Sequence, residues 1–213
     1  MAPTLLDVAE LACRRGGRPV FDRLSFALGA GEVLALTGRN GSGKTTLLRA
    51  LALLVRAEAG TILWQGANVH DDAETWRGQL AWLGHLDGLK GDLTVRENLL
   101  GAERLRGRPA ADDRLDLALI AFDLHVLVHR PVRTLSAGQR RRTALARVML
   151  TQAPLWLLDE PLNALDAGAQ QAFRTVLQQH LAQGGLAIAA THADLGVPGG
   201  RTVELSAPQN ALP

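Results

Sequence analysis

The chain has 213 residues, 47% of them apolar and 21% charged, with a formal net charge of +2. This size bounds it to one α/β domain, or one domain with a small subdomain, long enough to bury a substantial core. The balance excludes an intrinsically disordered chain, and the basic excess is too small to argue for a nucleic-acid partner. The single cysteine, Cys13, excludes an intrachain disulfide and points to a reducing compartment. No Cys-x-x-Cys-His motif for haem attachment occurs. No apolar run reaches bilayer length, and no basic start followed by an apolar stretch marks a secretory signal. The expectation is a soluble cytoplasmic protein, held at a membrane only through a partner.

Two strands are expected at 4–11 and 20–28, separated by the turn-rich Arg14-Arg15-Gly16-Gly17-Arg18-Pro19. Leu24, Phe26 and Leu28 alternate with Ser25 and Ala27, as on a half-buried strand. After Ala30-Gly31 comes the apolar strand 32–37, then a glycine-rich loop, then a Leu- and Ala-rich helix over 46–55. Short strands follow at 61–64 and 81–83, the second reaching Gly84-His85. Thr94 and Glu97 have capping-box spacing and open a helix that runs to about Arg106 and stops at Gly107 and Pro109. Asp112 or Asp113 can cap the next helix, through Leu115, Leu119 and Phe122, and Ser136 with Gln139 opens a third. The apolar strand 155–158 ends at Asp159-Glu160, where Pro161 prevents further pairing. A helix at 167–182 stops at Gly184-Gly185, strands follow at 186–190 and 201–205, and the tail from Ser206 is expected to fray. Apolar strands alternating with helices predict an α/β fold with a mainly parallel sheet covered on both faces. The expected organisation is one domain over 1–213, with 1–84 and 151–213 as core and 85–150 as an inserted helical subdomain.

The glycine-rich loop Gly38-Arg39-Asn40-Gly41-Ser42-Gly43-Lys44-Thr45 fits the phosphate-binding pattern G-x-x-x-x-G-K-[ST] without a mismatch. Its place between a strand and a helix argues against an ordinary turn. Glycines let the backbone wrap closely round a phosphate chain, and the amides at the helix start, including that of Thr46, attract anions. Lys44 supplies a mobile charge for β and γ phosphates, and the Thr45 hydroxyl can ligate Mg2+. Asp159 ends a buried strand, where open parallel sheets bind ligands, and can hold the metal opposite Thr45. Glu160 is placed to polarise an attacking water as a general base. Ser136, Gly138 and Gln139 mark a second helix start that can bind an anion. One chain already has such a site at Lys44, so the surplus implies another ligand or another chain.

These motifs together resemble an ATP-binding-cassette ATPase. The order of phosphate loop, Leu-Ser-Ala-Gly-Gln at 135–139, Asp159-Glu160, Asn163-Ala164-Leu165-Asp166 and His192 covers nearly the whole chain. The resemblance implies a P-loop NTPase core with a mainly parallel sheet, an antiparallel β subdomain and the inserted helical subdomain. It implies ATP and Mg2+ as ligands, and two ATPs sandwiched between two copies of the chain. Ser136, Gly138 and Gln139 of one copy would close over ATP held by the Lys44 loop of the other. Asp166 would lie in the loop that couples the two sites, and His192 would contact the γ phosphate. His85 stands where the family usually has Gln. The family's usual adenine-stacking aromatic is missing, leaving Arg14 and Arg15 as flat guanidinium candidates.

The segments 63–66, 82–85, 88–90, 136–147 and 155–161 further resemble the haem-exporter ATP-binding subunit of cytochrome c maturation. That implies integral membrane transporter subunits as partners, an indirect link to a haem chaperone, and a peripheral place on the cytoplasmic face of the inner membrane. Residues 86–93 would then meet a membrane subunit. A lipid or drug cargo, or a nucleotide-gated clamp with little turnover, are the alternatives. Elsewhere, Arg140-Arg141-Arg142 is expected to be a solvated helix face. His125 and His129, at i, i+4 spacing on a helix, are expected to be partly exposed structural residues. Trp64, Trp82 and Trp156 are expected to pack in or beside strands, and Cys13 to be inert.

Overall fold

The computed structural model describes residues 4–105, 107 and 112–206. Two long strands, β1 (Thr4–Arg15) and β2 (Arg18–Gly29), pair antiparallel around Gly16-Gly17. The central strand β3 (Val33–Thr37) feeds the glycine-rich loop and helix α1 (Lys44–Leu51). Then come β4 (Ala59–Trp64), β5 (Ala67–Asn68), helix α2 (Ala73–Gly78) and β6 (Leu80–Leu83). Helices α3 (Val95–Leu105), α4 (Asp112–Ala121) and α5 (Ala137–Leu150) follow, with single 3-10 turns at His125–Leu127 and Val132–Thr134. The chain returns through β7 (Leu155–Asp159), α6 (Ala167–Ala182), β8 (Leu186–Ala190) and β9 (Arg201–Glu204).

The strands form two sheets. One is antiparallel in the order β2-β1-β4-β5, and the other has five parallel strands in the order β6-β7-β8-β3-β9. Every residue of β7 and β8 is buried, as a central parallel strand covered on both faces requires. The period of two divides the core. Leu34, Leu36, Leu155, Leu157 and Ile188 face α1 and the antiparallel sheet. Trp156, Leu158, Ala187 and Ala189 face the opposite layer, with Phe122, Leu145, Phe173 and Leu177 of the helical side. Helix α5 touches α3, α4, α6 and β6, so it joins the helices inserted between β6 and β7 to the parallel sheet.

Local signals place most boundaries. The Thr94 capping box forms, with Glu97 N donating to Thr94 Oγ1 at 3.2 Å and Thr94 N donating to Glu97 Oε2 at 2.8 Å. Helix α6 and strand β8 match their expected bounds. The hairpin strands are longer than expected because cross-strand pairing carries them to the Gly16-Gly17 turn. Helix α1 starts at Lys44, not residue 46, and stops at Leu51, not residue 55. Leu53 has φ of 54°, and its amide donates back to Ala50 O, which turns the chain out of the helix. Helix α2 was not expected. Asp72 caps it through Thr75 N, and buried Trp76 fixes it by donating to Leu51 O at 2.8 Å. Asp112 and Asp113 sit in the first turn of α4, not before it. Arg106, Pro109 and the tail beyond Ser206 lie outside the described residues. His125 and His129 share no helix, because the 3-10 turn ends at Leu127; both are exposed.

Candidate nucleotide site

The phosphate loop spans β3 to α1 at the carboxyl end of the parallel sheet. Gly38 has φ of 126°, and a Cβ there would collide with the Leu205 carbonyl and lie 2.9 Å from Ser42 Oγ. Gly43, at φ of 102°, occupies the N-cap of α1, where a Cβ would lie 2.6 Å from Val20 Cγ1. Only glycine fits either position. The start of α1 has neither a side-chain cap nor an acidic residue in its first turn, which leaves its positive end to an anion. Ser42 Oγ is buried with no hydrogen-bond partner, an orphan that a phosphate oxygen would satisfy. Lys44 folds onto its own loop, its Nζ donating to Gly38 O at 2.5 Å and Arg39 O at 3.2 Å. Arg39, Asn40 and Gly41 form the exposed crest, and Thr46 is half-buried in the first turn of α1.

Three further predicted residues converge here. Thr45 Oγ1 lies 2.9 Å from Asp159 Oδ2 and 3.1 Å from Oδ1, so the hydroxyl donates into a carboxylate that is only 3% exposed. A hydroxyl and a carboxylate are the hard oxygen donors that Mg2+ takes while keeping waters and phosphate oxygens in its other positions. His192 Nε2 lies 3.4 Å from Lys44 Nζ. The ammonium has no lone pair, so His192 can only accept there. His85 is exposed just beyond β6, beside the end of β7. Glu160 is half-buried with φ of 49°, a left-handed conformation rare outside glycine.

Ser136 and Gln139 form the expected capping box at the start of α5, with Gln139 N donating to Ser136 Oγ at 3.2 Å and Ser136 N donating to Gln139 Oε1 at 2.9 Å. A Cβ on Gly138 would lie 2.8 Å from Ala164 O, so this helix start packs closely on the 163–166 loop. Among the described residues no hydrogen bond joins Ser136, Gly138 or Gln139 to the Lys44 loop, and Ser136 is exposed. Asp166 is the N-cap of α6, accepting from Ala169 N at 2.8 Å. Arg14 forms an ion pair with Glu58 at 2.8 Å at the end of the hairpin, while Arg15 is exposed at its tip.

The arginine run departs from the expectation of a solvated face. Arg141 is buried, and its guanidinium donates to Gly84 O at 3.1 Å, Asp159 O at 2.6 Å and Glu160 O at 2.6 Å, with Asp87 Oδ1 at 2.9 Å. Arg142 donates to Phe122 O at 3.2 Å and pairs with Asp123. Arg147, also on α5, donates to Gly88 O and Asp87 O, each at 2.7 Å. Burial pulls the Arg147 pKa below its usual range, and the Asp87 charge opposes that shift. Sequence alone read Arg141 only as part of a solvated run and did not single out Arg147 or Val20, because their partners are distant along the chain. The tryptophans do pack: Trp64 lies against Trp76 with ring centroids 5.5 Å apart, and Trp156 stacks on His180 at 3.9 Å.

The sequence matches the ABC transporter family over residues 21–163. A cytochrome c biogenesis ATP-binding export protein, CcmA, of Cupriavidus necator is 46% identical over 203 residues, 95% of this chain and 88% of that one. The protein of the same name from Ruegeria is 46% identical over 98% of this chain and 95% of its own length. The one from Escherichia coli O157:H7 is 44% identical over 91% of each. Among solved structures, an ATP-binding subunit of an ABC transporter superposes with a TM-score of 0.82 at 28% identity, covering 88% of this chain and 80% of that one. A putative ABC transporter ATP-binding protein from Pyrococcus furiosus, at 22% identity and a TM-score of 0.82, shares the fold. With its phosphate loop, its Asp159 carboxylate and these relatives, the chain belongs to the ATP-binding subunits of the ABC transporter family.

Proposed function

We propose that this chain hydrolyses ATP, in pairs, to drive an integral membrane complex in haem export or haem-chaperone release during cytochrome c biogenesis. The observation that carries this function is the meeting of Lys44, Thr45, Asp159 and His192 at the carboxyl ends of the interior strands β3, β7 and β8, with Thr45 and Asp159 2.9 Å apart and Lys44 and His192 3.4 Å apart. Lys44 would exchange its loop carbonyls for the β and γ phosphates, and the orphaned Ser42 hydroxyl would gain an acceptor. Thr45 and Asp159 would hold Mg2+, which when bound offsets the charge of the phosphate oxygens. The Glu160 carboxylate would take a proton from the attacking water, and His192 would donate to the γ phosphate.

Ser136, Gly138 and Gln139 would serve the site of a second copy, with Asp166 and the 163–166 loop at the contact between copies. Residues 1–84 and 151–213 would move as the ATP-binding core and 85–150 as the helical arm. Membrane subunits would dock at the groove of about 370 Å3 lined by Ala52, Leu54, Leu80, Trp82 and Val148, and the chain would then sit on the cytoplasmic face of the inner membrane. Leu54 and Leu86 are strongly exposed there and beside it, as a docking surface requires. The names of the CcmA relatives support the cytochrome c role.

The test is phosphate release by the chain purified with the membrane proteins that co-purify with it. Glu160→Gln is expected to bind ATP, accumulate as a dimer and lose turnover by at least about a hundredfold, the scale of losing a general base. Wild-type turnover in that variant would remove Glu160 from its role. Co-purification of membrane subunits of a lipid or drug transporter would overturn the haem assignment.

A further inference from the structure

Glu160 is held in an unfavourable conformation, and the restraints on it come from an unexpected side chain. A non-glycine residue at positive φ persists only where its surroundings over-determine it. Glu160 N donates to Ala190 O at 2.8 Å, and Asn163 N donates to Glu160 O at 3.2 Å. The strongest restraint is Arg141, whose Nη2 donates at 2.6 Å to the carbonyls of both Asp159 and Glu160. Successive carbonyls of an extended strand point to opposite sides, so one nitrogen cannot reach both. The left-handed turn at Glu160 is what brings them together. The other arm, Nη1, holds Gly84 O and the Asp87 carboxylate. A buried guanidinium, its side chain 5% exposed, thus bridges the ends of β6 and β7 from the helix that carries Ser136. Arg147 fixes the same 84–88 loop to α5 a second time.

We propose that Arg141 is a positioning residue for ATP hydrolysis: its guanidinium holds the Glu160 turn and locks that turn to the 84–88 loop. The Glu160 carboxylate is then aimed at the attacking water only while α5 and this loop keep their register. The role rests on the ATPase function proposed above. Arg141 touches no part of the nucleotide-binding loop, so its loss acts on turnover and leaves ATP binding to Lys44. Lysine cannot replace it fully, because a single ammonium lacks the planar fork that reaches two elements at once.

The experiment measures ATP affinity and steady-state phosphate release for wild type, Glu160→Gln, Arg141→Met and Arg141→Lys, each as the full chain with its co-purifying membrane subunits. Arg141→Met is expected to lower kcat at least about tenfold while ATP affinity stays within about threefold, a split that marks a loss confined to the transition state. It should also accumulate the ATP-bound dimer, as Glu160→Gln does. Arg141→Lys should fall between wild type and Arg141→Met. If Arg141→Met does not fold, Arg141→Lys is judged on the same split. Wild-type kcat in the variant that folds, or a parallel fall of ATP affinity and kcat, overturns the proposal. A wild-type protein without turnover would instead overturn the ATPase function, whereas an active Glu160→Gln would remove Glu160 from its role and the Arg141 proposal with it; both are recognised before either arginine variant is measured.

Discussion

Replacing Thr45 by Val keeps the side-chain shape and removes one hydroxyl proton. That proton is shared between the two oxygens of Asp159, at 2.9 and 3.1 Å, in a carboxylate only 3% exposed. Hydrogen bonds to charged groups contribute about 1.5–3 kcal/mol, and a buried acceptor left unpaired costs its full desolvation. For a chain of this length each kcal/mol moves Tm by about 2–4 °C, so Thr45→Val should melt roughly 3–12 °C below wild type without nucleotide. Asp159→Asn behaves oppositely: it removes the buried charge and keeps a group that can bond Thr45, so its Tm should equal or exceed that of wild type. Both variants should lose the further rise that Mg2+ gives over ATP with EDTA. In wild type, saturation at a hundred times Kd is worth about 2.7 kcal/mol. Thermal denaturation of the three proteins, without nucleotide, with ATP and EDTA, and with ATP and Mg2+, reads all of these. If Thr45→Val melts with wild type, or Asp159→Asn falls as far as Thr45→Val, the Thr45–Asp159 bond does not hold the empty site together.

His180 predicts a pH dependence of stability away from the nucleotide. Burial holds its pKa below the ordinary 6.5, with the Leu186 carbonyl at 3.0 Å opposing the shift. The folded ring therefore stays neutral while the unfolded ring takes a proton, so the contribution is complete above 6.5 and is lost as pH falls from there to the folded value. His180→Phe, which can keep the stack on Trp156, should flatten the acid side of the Tm–pH curve; an unchanged slope would assign it to other groups. Gly138→Ala places a methyl 2.8 Å from the Ala164 carbonyl, so the helix start and the 163–166 loop must part. Overpacking of this kind costs about 1–3 kcal/mol, and turnover should fall more than single-chain ATP affinity, read by phosphate release beside nucleotide titration.

What was legible in the sequence is what local chemistry decides. The phosphate loop is one contiguous stretch whose glycines, lysine and threonine each have a backbone or charge reason to be there. Helix α6 was placed residue by residue, its end marked by Gly184-Gly185; the cap at its start, Asp166, is a finding of the structure. Strands β7 and β8 were legible because a central parallel strand is apolar on both faces. The order β6-β7-β8-β3-β9 was not, since β3 pairs with β8 and β9 more than a hundred positions away and the apolar code is the same for every neighbour. Helix α2 escaped notice because only Trp76 of its six residues is buried, too little for a helical period to show. The meeting of Thr45 with Asp159, 114 residues away, follows from that same strand order, and the motifs anticipated it only because each sits at a strand's carboxyl end.

The arginine run shows where composition misleads. Three consecutive charges read as one solvated surface, but successive residues on a helix are turned by about 100°, so three of them cover more than half of its circumference. They cannot share a face on a helix packed as closely as α5. Arg140 turns back to the Leu135 carbonyl at 2.6 Å, Arg142 reaches the end of α4 at Phe122, and Arg141 points into the sheet. An inward arginine survives there only because four acceptors meet it, and strand ends supply such acceptors where their ladders stop. A residue that the sequence assigns to water is therefore one whose removal should separate ATP binding from its hydrolysis.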